Sequence, residues 1–195
     1  MIRIFEKKNW IWVLRIVLTF LGVLTVAWIF SNSLMDGEAS SSQSSQVTDI
    51  VDGAVDAIAP DLMIGGSEET EFQILHSFVR NMGHFAEFAL LCALTTWCVI
   101  SYTDKRPFLI LPILLSVAVA FTDEYIQSFV GGRAQEIKDV FTDFFGACIG
   151  FVFAVFAYWI GKLVYRKIAE KRELRTVENF AVTDGDGNGE KKWGE

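Results

Sequence analysis

Four apolar segments, each close to twenty residues long, constrain this chain more than any other feature of its sequence. They run over residues 10–30, 84–102, 107–130 and 139–161. A helix of about 20 apolar residues is long enough to cross the hydrocarbon core of a bilayer. Hydrophobic residues make up 52% of the chain, against about 45–50% in ordinary soluble proteins. The sequence therefore predicts an all-α membrane protein, built as a bundle of four transmembrane helices.

The loop that follows the first span, residues 31–83, divides into parts of different character. Residues 31–46 are rich in Ser and lack the apolar content needed to fold alone, which predicts a flexible link. Over residues 47–58 the apolar positions recur at helical spacing and stop before Pro60, which predicts an amphipathic helix at the outer membrane face. A further helix is predicted from Ser67, a good helix start, to about residue 101.

These segments predict one membrane domain over residues 1–161 and a basic, then acidic, tail over residues 162–195 that we expect to be disordered. The basic start and first apolar run also fit a signal peptide, but no small-residue cleavage site follows closely, so we expect an uncleaved helix. From Asp184 to Glu195 the tail has the spacing of an EF-hand calcium loop. Because Lys191 occupies a position that is normally apolar, a solvated tail is the preferred interpretation.

The basic residues outside the spans predict the orientation in the membrane, because short Lys- and Arg-rich flanks stay cytoplasmic. Three regions carry them: the N-terminus with Arg3, Lys7 and Lys8, the turn with Lys105 and Arg106, and the tail from Lys162 to Arg172. Residues 31–79 contain no Lys or Arg. We therefore expect a multi-pass protein of the cell membrane with both termini cytoplasmic and the first loop outside. Arg133 and Lys138, in the outer turn, run against this rule.

Unusual polar residues lie near the predicted outer ends of the last three spans. They are Arg80, His84 and Glu87 on the second, Asp123, Glu124 and Gln127 on the third, Asp139 and Asp143 on the fourth, and Arg133 in the turn between the third and fourth. Spacings of three and four residues place members of one helix on one face. Charged groups inside a membrane are costly and often mark functional sites. We expect these side chains to converge on one outward-facing pocket, with interhelical packing as the alternative explanation.

The residue types predict roles within such a pocket. Glu87, Asp123, Glu124 and His84 are the predicted acid and base groups, and Arg80, Gln127, Arg133, Asp139 and Asp143 the predicted substrate-binding groups. A carboxyl group among others in a low dielectric suits general acid work, and an Arg side chain can clamp an anionic headgroup. His84 with the acids also offers metal ligands, but no spacing such as HExxH is present. The sequence therefore assigns no metal ligands, leaves a metal requirement open and names no cofactor.

The same residues carry a family resemblance. The run Arg80-Asn-Met-Gly-His-Phe-Ala-Glu-Phe88, the Asp123-Glu-x-x-Gln127 pattern, and Arg133 followed six residues later by Asp139 resemble the VanZ-like family of bacterial membrane proteins. The resemblance covers roughly residues 10–160. It differs from the usual family pattern at Asn81, Phe88 and Asp143, where Lys, Tyr and Asn are common. The family is named for a protein linked to resistance to teicoplanin, so the resemblance implies a role in the cell envelope.

Two functional classes follow from these observations. The first, which the family resemblance implies, is a binding or resistance protein that limits the access of glycopeptide or lipoglycopeptide antibiotics to envelope precursors. The second is a membrane enzyme that acts by acid and base catalysis on a lipid-linked glycan or phosphate headgroup. A transporter is less consistent with charges grouped at one side of the membrane. The expected partners are membrane lipid and a lipid-linked envelope precursor or lipoglycopeptide, whereas a net charge of −7 without a basic patch argues against nucleic acid.

Overall fold

A computed structural model describes residues 2–35, 37–58, 68–130 and 137–185 of the chain. Within these ranges the secondary structure is helical, with short turns and no strand. The five α-helices are α1 (Ile2–Ser33), α2 (Gly37–Ile58), α3 (Glu68–Tyr102), α4 (Leu111–Gln127) and α5 (Ile137–Gly185), and a 3₁₀ helix (Arg106–Ile110) precedes α4.

Four helical stretches are long and apolar enough to cross a membrane: Trp10–Ser33, Glu69–Tyr102, Arg106–Gln127 and Ile137–Thr176. The predicted all-α, four-span architecture is therefore confirmed. Many large apolar side chains on these helices are exposed, for example Ile16, Phe121 and Phe153. A bilayer would cover such a surface with lipid tails.

The chain divides into two compact units, Met1–Val155 and Phe156–Glu195. The core of the first unit is built from three helices: Ile29 of α1, Phe88 and Leu91 of α3, and Val119 and Ala120 of α4. Lipid tails are as apolar as these side chains, so the hydrophobic effect contributes little to helix association in a membrane. Close packing and interhelical hydrogen bonds must therefore hold this core together.

A close helix contact in the first unit joins α3 to α5 at two glycines. A Cβ atom added at Gly146 would overlap the backbone carbonyl oxygen of Phe85, and one added at Gly150 would overlap that of Ala89. Each pair lies one turn beyond the other on both helices, so α3 and α5 run in the same direction. Small residues of this kind let helix backbones approach closely in membranes.

A side chain of α3 also reaches the backbone of α5. The indole nitrogen Nε1 of Trp97 donates a hydrogen bond to the carbonyl oxygen of Ala154 at 3.0 Å, and the Trp97 ring packs against Phe153 with 6.3 Å between the ring centroids. Ala154 is fully buried. This hydrogen bond links the apolar halves of the two helices.

Arg15 of α1 binds the C-terminal end of α3. Its Nε and Nη2 atoms donate to the carbonyl oxygen of Ser101 at 2.9 and 2.5 Å, and its guanidinium carbon lies 4.6 Å from the ring centre of Tyr102 and 5.1 Å from that of Trp12. The last carbonyl groups of a helix have no partner within the helix. Arg15 therefore occupies an apolar segment by capping a neighbouring helix and stacking on aromatic rings.

The amphipathic helix α2 begins earlier than the sequence predicted. It starts at Gly37, so most of the Ser-rich segment predicted as a flexible link is helical. Ser45 and Thr48 donate hydrogen bonds from their hydroxyl groups to the carbonyl oxygens of Ser41 and Ser44, at 2.8 and 2.9 Å. Such bonds to the residue four positions back satisfy the hydroxyl groups within the helix. Its end at Ile58, before Pro60, agrees with the prediction.

The third span begins within one residue of its predicted start at 107 and ends three residues before its predicted end at 130. Pro107 and Pro112 stand at the first turns of the 3₁₀ helix and of α4, where the missing amide hydrogen of proline removes no helical hydrogen bond. The span therefore starts as a 3₁₀ turn. At the other end α4 stops at Gln127, and residues 128–130 form a turn in which Phe129 and Val130 donate to the carbonyl oxygens three positions back.

In the second unit, α5 continues as a helix to Gly185, over a stretch for which the sequence predicted a disordered tail. Lys, Arg, Glu, Ala and Leu dominate residues 162–175, and all five favour helix. Arg166 and Glu170 are also spaced to pair along the helix surface. The calcium-loop pattern from Asp184 to Glu195 lies, from residue 186 onward, outside the described residues.

The contact between α3 and α5 can be tested by a pair of Gly→Ala substitutions. Both changes add the same helix propensity, about 0.8–1 kcal/mol. At Gly150 the new methyl group would meet the Ala89 carbonyl, whereas at Gly161 nothing lies within 4 Å. We expect Gly150→Ala to lower the free energy of unfolding in mixed detergent micelles by about 1–3 kcal/mol, the usual effect of overpacking. Gly161→Ala should leave it unchanged or raise it, and equal effects would contradict the packing described.

Candidate functional site

Two pairs of polar side chains join α3 to α5. Arg80 Nη2 lies 3.3 Å from Asp139 Oδ2, and His84 Nδ1 lies 3.7 Å from Asp143 Oδ1. The partners are four residues apart on both helices, so two helices that run in the same direction can align both pairs at once. The pair of Arg80 and Asp139 is partly exposed, whereas Asp143 is buried.

Asp123 of α4 is buried and held from two directions. Its Oδ1 atom accepts a hydrogen bond from the hydroxyl group of Ser33, at the end of α1, and its Oδ2 atom accepts one from Nε2 of Gln127 at 2.7 Å. All three residues are almost inaccessible to solvent. Hydrogen bonds to a charged acceptor are stronger than neutral ones, so this network fixes the position of the carboxyl group.

Glu87 of α3 is held by α1. Its Oε1 atom accepts hydrogen bonds from Trp28 Nε1 at 3.0 Å and from Asn32 Nδ2 at 2.6 Å. The Oδ1 atom of Asn32 is buried without a hydrogen-bond partner among the described residues. One oxygen of Glu87 is therefore committed to α1, which orients the carboxyl group.

A cavity of about 490 Å³ lies between α1, α2 and α3. Its lining residues are Trp28, Asn32, Met35, Ser44, Val47, Val51, Phe78, Val79, Arg80, Met82, Gly83, His84 and Glu87. Binding sites for small molecules are usually apolar cavities of about 300–1,000 Å³ with a few placed polar groups. Here the apolar wall comes largely from α2 and α3, and the polar groups are Arg80, His84, Glu87 and Asn32.

Behind this cavity lies a group of potential metal ligands. One donor atom each from His84, Asp123 and Asp143 lies within 4.8 Å of the other two. His84 belongs both to this group and to the cavity lining. We call these three residues the three-helix cluster, because α3, α4 and α5 each contribute one of them.

The predicted site residues thus occupy two adjoining places, where the sequence predicted a single pocket. Arg80, His84 and Glu87 line the cavity, as their shared face predicts. Asp123, Gln127, Asp139 and Asp143 are buried and do not line it, so a direct contact of Asp123 with a substrate in the cavity is not supported. Glu124 is half-buried and also outside the lining, and Arg133 lies outside the described residues.

The contribution of α1 was not predicted from the sequence. Trp28, Asn32 and Ser33 hold Glu87 and Asp123 by hydrogen bonds. A signal exists in the sequence, because Asn32 and Ser33 are polar residues directly after an apolar span. That position is common for polar residues at a membrane boundary, so it does not by itself indicate a partner.

The bond between Ser33 and Asp123 gives a test of how α1 is attached. We expect Ser33→Ala to lower the free energy of unfolding in micelles by about 1.5–3 kcal/mol, the value of a hydrogen bond to a charged group. Ser128→Ala is the matched control, because Ser128 is exposed and its hydroxyl group donates to the carbonyl oxygen of Tyr125, in the same turn, at 2.6 Å. The control should change stability by less than about 0.5 kcal/mol. A similar small effect at Ser33 would refute the attachment.

Comparison with known protein families places this chain beside one of bacterial membrane proteins. The sequence profile of the VanZ/LLP1 family matches residues 17–158, most of the chain. No curated protein and no solved structure matches this sequence. The matched region contains α3, α4, the cavity and the three-helix cluster. The chain belongs to the VanZ/LLP1 family.

Proposed function

We propose that this protein binds the headgroup of a lipid-linked envelope precursor in the cavity between α1, α2 and α3, and so contributes to resistance to glycopeptide or lipoglycopeptide antibiotics such as teicoplanin. Its family is one of bacterial membrane proteins linked to glycopeptide resistance. The observation that carries the proposal is the composition of the cavity, an apolar wall with a few polar groups at one side.

The apolar wall suits the hydrocarbon part of an amphiphile. Val47 and Val51 of α2 and Phe78 and Met82 of α3 lie along the cavity. Because α2 is amphipathic, it is expected to lie in the plane of the membrane surface with its apolar face toward the acyl chains. A bound lipid would then keep its chain against these side chains and its headgroup among the polar residues.

The polar groups suit an anionic or sugar headgroup. Arg80 is 37% exposed while paired with Asp139, so its remaining N–H groups are available to a phosphate or carboxylate. Glu87, held by Trp28 and Asn32, presents its second oxygen as an acceptor for a hydroxyl or amide group. The combination favours a headgroup that carries both a negative charge and hydrogen-bond donors.

The orientation predicted from the basic residues would place the proposed binding site on the side of the membrane where the antibiotic acts. With both termini cytoplasmic, α2 and the cavity face the outside of the membrane, where an antibiotic meets envelope precursors. Binding of the headgroup in the cavity would withhold it from the antibiotic.

The orientation is tested by placing a cysteine at exposed Thr70 or at exposed Lys171 and labelling it with a membrane-impermeant reagent. Only the cysteine at position 70 should react in intact cells.

The cavity is tested by teicoplanin susceptibility of cells that produce Arg80→Ala or Glu87→Gln at equal protein levels in the membrane. Loss of a charge-assisted hydrogen bond, about 1.5–3 kcal/mol, weakens headgroup binding by roughly 10–100-fold. We therefore expect susceptibility close to that of cells without the protein. Arg175→Ala and Glu173→Gln are matched controls on the exposed part of α5, and they should retain full resistance.

Two other outcomes would contradict this function. Full resistance in both cavity variants would show that the cavity is not the site. If both variants are missing from the membrane while their controls are present, the charges serve packing. Measurement of protein levels in the membrane separates these outcomes.

A second candidate function is a membrane enzyme that acts on a lipid-linked glycan or phosphate headgroup. The specific observation in its favour is the position of His84, which lines the cavity and also approaches Asp143 at 3.7 Å. In a hydrolysis, Glu87 would accept a proton from the attacking water, and His84 would return one to the leaving oxygen.

Envelope lipid profiles distinguish the two candidates. An enzyme predicts that a lipid-linked substrate accumulates in cells with Glu87→Gln or Glu124→Gln and that its product disappears. A binding protein predicts the same lipid species in all cells, with only susceptibility changed. Because Glu124 does not line the cavity, an effect of Glu87→Gln alone would restrict the chemistry to the cavity residues.

A further inference from the structure

We infer that the three-helix cluster, His84, Asp123 and Asp143, binds a divalent transition-metal ion of the Mn²⁺ or Zn²⁺ type. This inference goes beyond the proposed function, because it concerns the buried side chains behind the cavity and holds whichever molecule the cavity binds. It rests on the arrangement of donor atoms, on two buried atoms that lack hydrogen bonds, and on the local charge.

The donor atoms lie close to the spacing that one ion requires. Bonds of about 2.0–2.2 Å from a metal ion to imidazole nitrogen and carboxylate oxygen place neighbouring ligand atoms roughly 3.0–3.6 Å apart and opposite ones roughly 4.2 Å apart. His84 Nδ1 and Asp143 Oδ1 are 3.7 Å apart, and the three residues each offer a donor atom within 4.8 Å of the other two. Side-chain rotations that shorten the longest distance by up to roughly 1.2 Å would complete a tetrahedral site, and roughly 0.6 Å would suffice for two opposite ligands of an octahedral one.

Two of the candidate donor atoms make no hydrogen bond within the part of the chain that the structure describes. His84 Nδ1 and Asp143 Oδ1 are both buried and have no hydrogen-bond partner among the described residues. The Asp143 side chain is only 3% exposed. The two atoms, His84 Nδ1 and Asp143 Oδ1, face each other at a distance too long for a hydrogen bond. Buried polar atoms without a hydrogen-bond partner are rare enough to need an explanation. Two ligands of one ion face each other in this way.

The third ligand is already oriented for coordination. Ser33 donates to Oδ1 of Asp123 and Gln127 donates to Oδ2, yet each carboxylate oxygen has a second lone pair. Metal-binding residues are commonly held by such outer hydrogen bonds, which orient the ligand. Ser33 and Gln127 would therefore be positioning residues of the site.

Local charge also favours a cation. Asp123 and Asp143 bring two carboxyl groups into one buried place, while Arg80 is engaged with Asp139 one helical turn away. A divalent ion would neutralise both carboxylates at once. The imidazole ligand favours Zn²⁺ or a similar transition metal over Ca²⁺ and Mg²⁺, which prefer oxygen ligands alone. Three protein ligands leave a coordination position for water.

The test measures Zn²⁺ binding by the full-length protein in detergent micelles. The protein is stripped with a chelator and dialysed against Zn²⁺, and bound metal is determined by elemental analysis. We expect one tightly bound ion in the wild type and loss of that ion in His84→Gln and Asp143→Asn. His76→Gln is the matched control, because His76 is the other histidine of the chain and lies on α3 away from the cluster. It should retain the ion.

A second pair of measurements keeps the inference testable if the ligand variants fold poorly. Co²⁺ bound to the wild type should give the visible absorption of a site with nitrogen and oxygen ligands, and Zn²⁺ should displace that signal. Gln127→Leu, which removes only an outer hydrogen bond, should weaken Zn²⁺ binding about 10–100-fold. The inference is overturned if wild-type protein binds no more Zn²⁺ than Asp143→Asn, if His76→Gln abolishes binding, or if no Co²⁺ spectrum develops.

Discussion

The close approach of α3 and α5 at Gly146 and Gly150 is the contact on which the rest of this structure depends. In a membrane the hydrophobic effect does not draw helices together, so a fixed helix pair needs direct backbone contact and polar bonds. The glycines set the distance between α3 and α5. At that distance the polar ends of the two helices face each other, so that Arg80 lies beside Asp139 and His84 beside Asp143. The packing of apolar residues thus positions the charged ones.

The first span, α1, both crosses the membrane and holds residues of the site by hydrogen bonds. Arg15 caps one end of α3 by binding the Ser101 carbonyl oxygen, and near the other end of α1 Asn32 binds Glu87 while Ser33 binds Asp123. A helix attached at both ends to the helices that carry the site limits how far α3 and α4 can separate. The cavity is consequently bounded by elements that are tied together by hydrogen bonds as well as by packing.

Much of this arrangement could be predicted from the sequence, because span length and helical periodicity are local properties. The four spans and the long helix α3 are examples, and so is the shared face of Arg80, His84 and Glu87. What could not be predicted depends on partners far along the chain. Ser33 is an ordinary boundary residue until Asp123 is placed beside it, and the division between cavity and buried cluster follows from the position of α2, whose Ser-rich start resembles a linker. In the tail, the polar composition predicted disorder, but residues 162–175 are strong helix formers and α5 continues through them.

The equal spacing of the Arg80–Asp139 and His84–Asp143 pairs has a consequence for how this bundle finds its alignment. A displacement of α5 by one turn would still bring Arg80 opposite an acid, Asp143, so this attraction alone distinguishes poorly between the two arrangements. The glycines decide more, because the displacement would set Ala154 against Ala89, where an added Cβ atom does not fit. The hydrogen bond from Trp97 to the Ala154 carbonyl oxygen would be lost in the same displacement. A glycine and an indole that lie away from the charges therefore select which acid Arg80 will meet.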